Sequence, residues 1–435
     1  VSSTQQAPEA TPEPPIARSR ALGIVASSGA AAVCSFLITV VSTNSLGSEE
    51  LALEFLVFWA LLFGAYGVIS GIQNETTRAT SAVWLAEHAP TGARRPVTRG
   101  APVLAGAAVM GGAAAALVGA SAWWWAPRFV PHVGWAPALL VGAVFLYAFH
   151  VALSGALAGQ RSWGLFALVM GAEAVLRLVT VALAAWFAPG NLTALAWATI
   201  GPAAMWLVFV ALSRDSRRAA ASVADVGLGQ LVRNNVVTAL SAAATAVLIT
   251  GFPAVLKGLA GGGQQAAALA ALILAISLTR SPLMIPLQAF QGVAVTAFLA
   301  APGRRLAVLA RYMGALAALG AVAAVAAALL GPWLLGLLYP ALGYELPGAT
   351  FAGLMLAAVA ITWLTLSGMA ALAINAHRTY LAGWVVASAA SVALLWLPLP
   401  LEPRVVVALL AGPLLGWGVH LEAIARADRA QRPTL

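Results

Sequence analysis

Residues 163–188 read WGLFALVMGAEAVLRLVTVALAAWFA. Two charged side chains, Glu173 and Arg177, interrupt a run that is otherwise apolar on every side of a helix. Coiled as an α-helix at ~1.5 Å per residue, it is long enough to cross the ~30 Å hydrocarbon layer of a bilayer. A soluble amphipathic helix keeps a polar face, and this one has none.

The rest of the chain is built the same way. Its 435 residues are 61% hydrophobic and 9% charged, where a soluble domain carries about 25% charged residues. The mean hydropathy is +0.91. Folded surface shrinks too slowly with size for a soluble domain to hide so much apolar side chain. A soluble enzyme, a nucleic-acid binder and a disordered scaffold are therefore excluded. The net charge of +9 belongs to the cytoplasmic loops of a membrane protein rather than to a nucleic-acid site.

Apolar runs of helix-spanning length fall near 21–43, 51–72, 101–125, 135–158, 163–188 and 194–213. A second set lies near 235–256, 265–298, 309–338, 349–372, 380–399 and 404–425. They are continuous rather than alternating, which argues against a barrel. The expected fold is an all-α polytopic membrane protein of twelve transmembrane helices. A cytoplasmic N-terminus puts 18 of the 23 Lys and Arg on the inner side and leaves Arg128, Lys257 and Arg404 outside. That asymmetry is the positive-inside rule and supports both termini being cytoplasmic. Trp123, Trp124 and Trp125 close the third run at the outer interface. The polar, Pro-rich residues 1–20 read as a disordered cytoplasmic tail, and 426–435 as a cytoplasmic tail.

The chain also repeats itself. Gly201-Pro202 with Trp206 recurs as Gly412-Pro413 with Trp417, an offset of 211. Ser154-Gly155 followed by Gln160-Arg161 recurs as Ser367-Gly368 followed by His377-Arg378. Each repeat holds six helices, an even number, so the halves are parallel. The bundles are 21–213 and 235–425, joined by a cytoplasmic linker at 214–234.

Ionisable groups inside the hydrocarbon region are informative because each costs ~2.5–3.5 kcal/mol to insert. Glu173 and Arg177 stand four residues apart, on one helical face, where they pair. Two roles fit them: fixing helix packing, or forming the polar wall of a water-filled cavity between the halves. Arg280 lies in ISLTRSPLMIP, inside a run too long for one straight span, with Pro282 and Pro286 as the expected break. An arginine beside a broken helix suits an anionic ligand, and snorkelling to the headgroups is its alternative. Gln73, Asn74, Glu75 and Arg78 close the second helix as GIQNETTRA, either a solvated helix end or a contact at the inner mouth. Glu49, Glu50 and Glu54 are expected as solvated helix-start acids. His150 and His420 read as hydrogen-bonded packing residues, and Cys34 as a packing residue that has no partner for a disulfide. Gly261 to Gly263 form an outer turn with no P-loop Lys-Ser/Thr after them. No metal-ligand spacing, cofactor motif or Ser-His-Asp arrangement is present, so neither cofactor nor catalysis is expected.

Several stretches resemble the multidrug/oligosaccharidyl-lipid/polysaccharide (MOP) exporter superfamily, and within it the Wzx-like polysaccharide-flippase branch. They are GIQNETTRA (71–79), ALAGQRSW (156–163), LLYPALGYELPG (337–348) and ALAINAHRTY (371–380). The resemblance spans about 21–425 and shares the plan of twelve helices in two parallel halves. It implies translocation of an isoprenoid-diphosphate-linked oligosaccharide across a bacterial cytoplasmic membrane, for cell-surface polysaccharide assembly. Partners implied are the bilayer, the lipid-linked oligosaccharide, and polysaccharide polymerases or glycosyltransferases. Arg280 and Arg177 then meet the diphosphate, with Arg78 at the entrance beside Gln73 and Asn74, and Glu173 as the one embedded acid. The chain departs from strongly cationic flippase cavities in having few embedded arginines. A proton- or sodium-coupled drug or metabolite antiporter of the same superfamily is the rival. A polytopic glycosyltransferase or polymerase is a second, disfavoured by outer loops too short to hold an acceptor. The loop 74–100 lacks the short Gly-Asp-Arg pattern of a major-facilitator transporter.

Overall fold

The computed structural model describes residues 18–88, 100–259, 266–299, 301, 303–340, 346–374 and 376–430, without the side chains of 18–22, 285–286, 288–297 and 299. The expected tail 1–17, Arg94, Arg95, Arg99, the Gly261–Gly263 turn and residues 431–435 lie outside the described residues. Those described are nearly all helical.

The first half runs through α1 (Arg18–Leu46), α2 (Glu49–Ile69), α3 (Gly71–Glu87), α4 (Val103–Ala120), α5 (Ala122–Phe129), α6 (Ala136–Gly159), α7 (Trp163–Phe187), α8 (Leu192–Ile200), a 3-10 turn (Gly201–Ala204) and α9 (Met205–Leu212). A short α10 (Arg214–Ala220) links to the second half. That half holds α11 (Leu228–Ile249), α12 (Phe252–Leu259), α13 (Ala266–Leu299), α14 (Arg305–Leu338), α15 (Gly348–Ala373), α16 (His377–Leu394) and α17 (Leu401–Ala430). Among the described residues, 11 segments are long and apolar enough to cross a membrane. Helix α16, which opens on the polar His377-Arg378-Thr379-Tyr380, completes a six-plus-six plan.

Local chemistry sets the helix boundaries. Gly47, at φ +66, turns the chain between α1 and α2, and Ser48 caps α2 by accepting the Leu51 N–H at 3.2 Å. The α2–α3 rod continues from Glu49 to Glu87, 39 residues, well past the expected end at 72. Likewise α10 and the first turns of α11 fall in the stretch expected as a linker, and α17 carries 426–430 as helix rather than tail.

The repeat is visible in the packing. In the first half α4 and α3 pack on α6, α7 on α8 and α1 on α7; in the second α14 and α13 pack on α15, α16 on α17 and α11 on α16. Gly201-Pro202 interrupts the sixth span, whereas Gly412-Pro413 is absorbed within a continuous α17.

Six spans in each half, an even number, bring the two described chain ends to one face of the bundle, the terminal face. Toward the opposite, far face a single apolar core spans both halves, holding Phe55, Phe58 and Leu62 of the first and Phe252, Leu272 and Phe351 of the second. Toward the terminal face each half keeps cores of its own, such as Leu153, Leu157 and Val169 in the first and Leu309, Leu366 and Ile424 in the second. Polar ties reinforce the far face: Lys257 Nζ donates to Phe129 O (2.7 Å) and Asn44 Nδ2 to Leu338 O (2.7 Å).

Glu54 departs from expectation. It is buried, and accepts the N–H groups of His132 (2.6 Å) and Val133 (3.0 Å) as well as facing His132 Nδ1 (2.8 Å). It clasps the turn before α6 instead of meeting solvent. Of the three tryptophans at 123–125, Trp123 and Trp124 are exposed, while Trp125 is buried and donates to Val118 O (3.0 Å).

Candidate functional site

Helix α13 runs unbroken through Pro282 and Pro286. The break lies instead between α11 and α12, at Thr250-Gly251-Phe252-Pro253. Pro253 has no N–H for Ile249 O and its ring would clash there in a continuous helix. The Gly251 N–H turns back to Ala246 O (2.8 Å), so the carbonyls of Leu248 and Ile249 lose their helical donors. Arg280 supplies them: its Nη1 donates to Ile249 O (2.8 Å) and Leu248 O (3.3 Å). The expectation of an arginine beside a broken helix is met with the break in the neighbouring span.

That guanidinium lines a cavity of about 270 Å³ between the halves, bordered by Leu56, Ala60, Ile273 and Ile276 of the shared core. Helix α1 contributes Ser35, Phe36 and Thr39; α2 contributes Trp59 and Phe63; Thr250 and Pro253 come from the break, Ser277 and Ser281 from α13. Among the described residues Arg280 is the one charged side chain in its lining, and no carboxylate is present. Arg280 Nε and Nη2 make no hydrogen bond among the described residues.

Glu173 and Arg177 pair within the first half, Nη1 to Oε2 at 3.1 Å and Nη2 to Oε1. Both are buried, and Arg177 Nε donates to Thr199 O (3.0 Å). The guanidinium lies over the rings of Phe63 (5.0 Å) and Tyr66 (5.9 Å). Phe63 therefore stands between Arg177 and the cavity that holds Arg280. Tyr66 stacks on Tyr147 at 3.7 Å, and Tyr147 on His150 at 5.4 Å. The Tyr66 hydroxyl and His150 Nδ1 have no hydrogen-bond partner among the described residues, and the His150 ring packs on Tyr147. His420 is bonded at both nitrogens, to Ser367 Oγ (2.9 Å) and Tyr380 O (3.1 Å).

Arg78 is engaged on both edges. It donates to Glu75 (2.9 and 2.7 Å) and to Asp225 (2.9 and 3.0 Å), and buried Glu75 also accepts from Asn234 (2.8 Å). This network ties α3 to the linker and to α11 at the terminal face. Gln73 is half-buried and Asn74 exposed near it, and neither is part of the inter-half cavity lining. The structure thus brings Arg280 to the cavity and sets Arg177 and Glu173 one ring behind it. Arg78, Gln73 and Asn74 lie apart.

Sequence reasoning missed the aromatic wall. Phe55, Trp59, Phe63 and Tyr66 follow one another at helical spacing along α2, with Trp59 and Phe63 rings 4.3 Å apart. That spacing was the available signal.

No protein-family profile matches the chain. It is 36% identical over 417 residues to the uncharacterized protein Rv1510 of Mycobacterium tuberculosis (strain ATCC 25618 / H37Rv), covering 96% of this chain and 94% of that one. It is 35% identical over 416 residues to the uncharacterized protein Rv3630 of the same strain, covering 94% and 93%. The chain belongs to this mycobacterial protein family. Its fold is that of solved MOP-superfamily transporters. An inward-facing multidrug resistance MATE family transporter matches with a TM-score of 0.64 at 14% identity, over 95% of this chain and 100% of that one. An outward-facing one matches at 0.61 and 13%, over 96% and 97%. This family member is accordingly a multi-pass membrane protein of the MATE-like, two-repeat fold.

Proposed function

We propose that this family member is an alternating-access transporter of the bacterial cytoplasmic membrane that translocates a lipid-linked saccharide through its anionic phosphate. The observation that carries this reading is the cavity between the halves. Its charged group is one anchored guanidinium, and no carboxylate faces it among the described residues. An anion is favoured there because a desolvated arginine gains most from a phosphate or carboxylate. The hydroxyls of Thr39, Ser277 and Ser281 supply a polar surface for sugar, while a lipid tail stays in the bilayer. Rocking of the two halves alternates access, and the MATE-like fold supports that step.

Proton- or sodium-coupled export of an organic cation is the second reading, favoured by the aromatic wall of Trp59 and Phe63, since such rings attract cations. Against it, Arg280 repels a cation, and Glu173, the embedded acid of the first half, already neutralises Arg177. Proteoliposomes carrying a labelled isoprenoid-phosphate saccharide distinguish the two. The lipid-saccharide reading expects translocation that Arg280→Gln abolishes. Proton-driven uptake of an organic cation, with no movement of the lipid, would overturn it.

A further inference from the structure

We infer that the headgroup this cavity selects is a single phosphate joined to one sugar ring, a lipid phosphodiester of a monosaccharide, rather than a diphosphate-linked oligosaccharide. The inference rests on the lipid-saccharide reading above and narrows it.

Charge decides the phosphate. A phosphodiester carries one negative charge and a lipid-diphosphate saccharide carries two. Arg280 is the one charged group lining the cavity among the described residues. A second phosphate buried beside it would be left without a cation, and an uncompensated buried charge is expensive. Arg177, the other embedded guanidinium, is committed to Glu173 and Thr199 O and screened by the Phe63 ring.

The geometry of Arg280 agrees. Its Nη1 is fixed on the two carbonyls of the α11 break, which leaves the Nε and Nη2 edge free among the described residues. That edge presents two parallel N–H groups, a fork that fits two oxygens of one phosphate. Bonds at Nη1 hold the fork in place, so little ordering entropy remains to be lost on binding.

Size and polarity decide the sugar. The cavity measures about 270 Å³, at the lower edge of the ~300–1,000 Å³ of pockets that hold drug-sized ligands. One sugar ring and one phosphate fill it, and a chain of sugars does not enter. Four of the five lining hydroxyls already donate to their own helices, Thr39 to Phe36 O (2.7 Å), Ser277 to Ile273 O (3.1 Å), Ser281 to Ser277 O (2.7 Å) and Thr250 to Ala246 O (3.0 Å), which leaves Ser35 as the one hydroxyl donor in the lining among the described residues. Their oxygens keep lone pairs, which suit the O–H groups of a sugar and not the oxygens of a second phosphate. Trp59 and Phe63 complete the site with a flat apolar surface against which the C–H face of a sugar ring packs.

The test uses the protein in lipid nanodiscs, three synthetic saccharide lipids (citronellyl phosphoglucose, citronellyl diphosphoglucose, and citronellyl diphosphate bearing a tetrasaccharide) and bare citronellyl phosphate as the sugar-free control. The phosphodiester is expected to bind about tenfold tighter than the diphosphoglucose, and the tetrasaccharide to compete at least about tenfold more weakly again. Trp59→Ala is expected to weaken the phosphoglucose about tenfold while leaving bare citronellyl phosphate unchanged, a contrast that a misfolded variant would not give. Equal or tighter binding of the diphosphate tetrasaccharide overturns the monosaccharide-phosphate assignment and leaves the lipid-saccharide reading standing. If none of the three lipids binds to the wild-type protein, both fall.

Discussion

The two halves share one packing plan and differ in what fills it. In the first half the fifth span, α7, leans on α1, and the space between α2, α6 and α7 holds Glu173, Arg177, Tyr66, Tyr147 and His150. In the second half α16 lies along α17 with its backbone almost touching. Gly383, Ala387 and Ser391 face Gly412 and Gly416, and a Cβ on Gly416 would overlap Gly383 O and sit 2.8 Å from the Ala387 side chain. Small residues that let helices approach closely are a membrane solution to packing without a hydrophobic drive. A buried ion pair with stacked rings is a different solution, costlier in desolvation. The duplicated scaffold accommodates both.

The largest test of that difference is charge removal. Arg177→Met leaves Glu173 buried without its partner and is expected to cost about 3–5 kcal/mol. The double variant Glu173→Leu/Arg177→Met should recover most of it. Thermal unfolding in detergent reads both, and equal losses in single and double variants would show that the two side chains do not act as a pair.

Next comes the small-residue seam. A Cβ at Gly412 would overlap Ser391 Oγ and stand 2.7 Å from Ala387 O, whereas at Gly201, its repeat counterpart, it meets open space. Gly412→Ala should therefore destabilise by about 1–3 kcal/mol and Gly201→Ala by less than about 0.5 kcal/mol. Equal melting shifts would erase the asymmetry between the halves.

The two histidines give a smaller contrast. His420→Phe abandons Ser367 Oγ and Tyr380 O and should cost about 1–3 kcal/mol. His150→Phe keeps the stack on Tyr147 and discards an unpartnered Nδ1, so it should be neutral within about 0.5 kcal/mol. Chemical denaturation of the two variants side by side checks this. The smallest effect is expected at the helix break. Pro253→Ala restores an N–H that competes with Arg280 for Ile249 O, changing stability by less than about 0.5 kcal/mol. Hydrogen exchange across 250–256 should slow as the helix closes, and unchanged exchange would mean that Pro253 does not cause the break.

The span count was legible because apolar runs of this length have few alternatives, and because arginines collect in every second connection, at one end of the spans. The helix break was not. Pro282, Pro286 and Pro253 each remove one i to i−4 bond, and a sequence reading cannot tell which loss is tolerated. At Pro253 the difference is spatial: Gly251 lets the chain turn back, and Arg280, 27 positions on, reaches the freed carbonyls. The pairing of Glu173 with Arg177 was readable from their spacing, but that Phe63 stands between them and the cavity was not. Glu54 misled because its position at a helix start says nothing of the turn at 130–134 that folds over it.

The glycines of the terminal face carry a mechanical consequence. Gly155 and Gly159 of α6 seat directly on α3, and a Cβ on Gly71 would lie 2.5 Å from the Ala239 backbone of α11. Helices in such contact have no room to slide, and the Glu75–Arg78–Asp225–Asn234 network clamps α3 to α11 and to the linker as well. The opening stretch of α11, which the sequence reading divides between the linker and the second half, is therefore fastened to the first half. In the rocking motion proposed above, the line along which the molecule parts runs through the seventh span rather than between the sixth and the seventh.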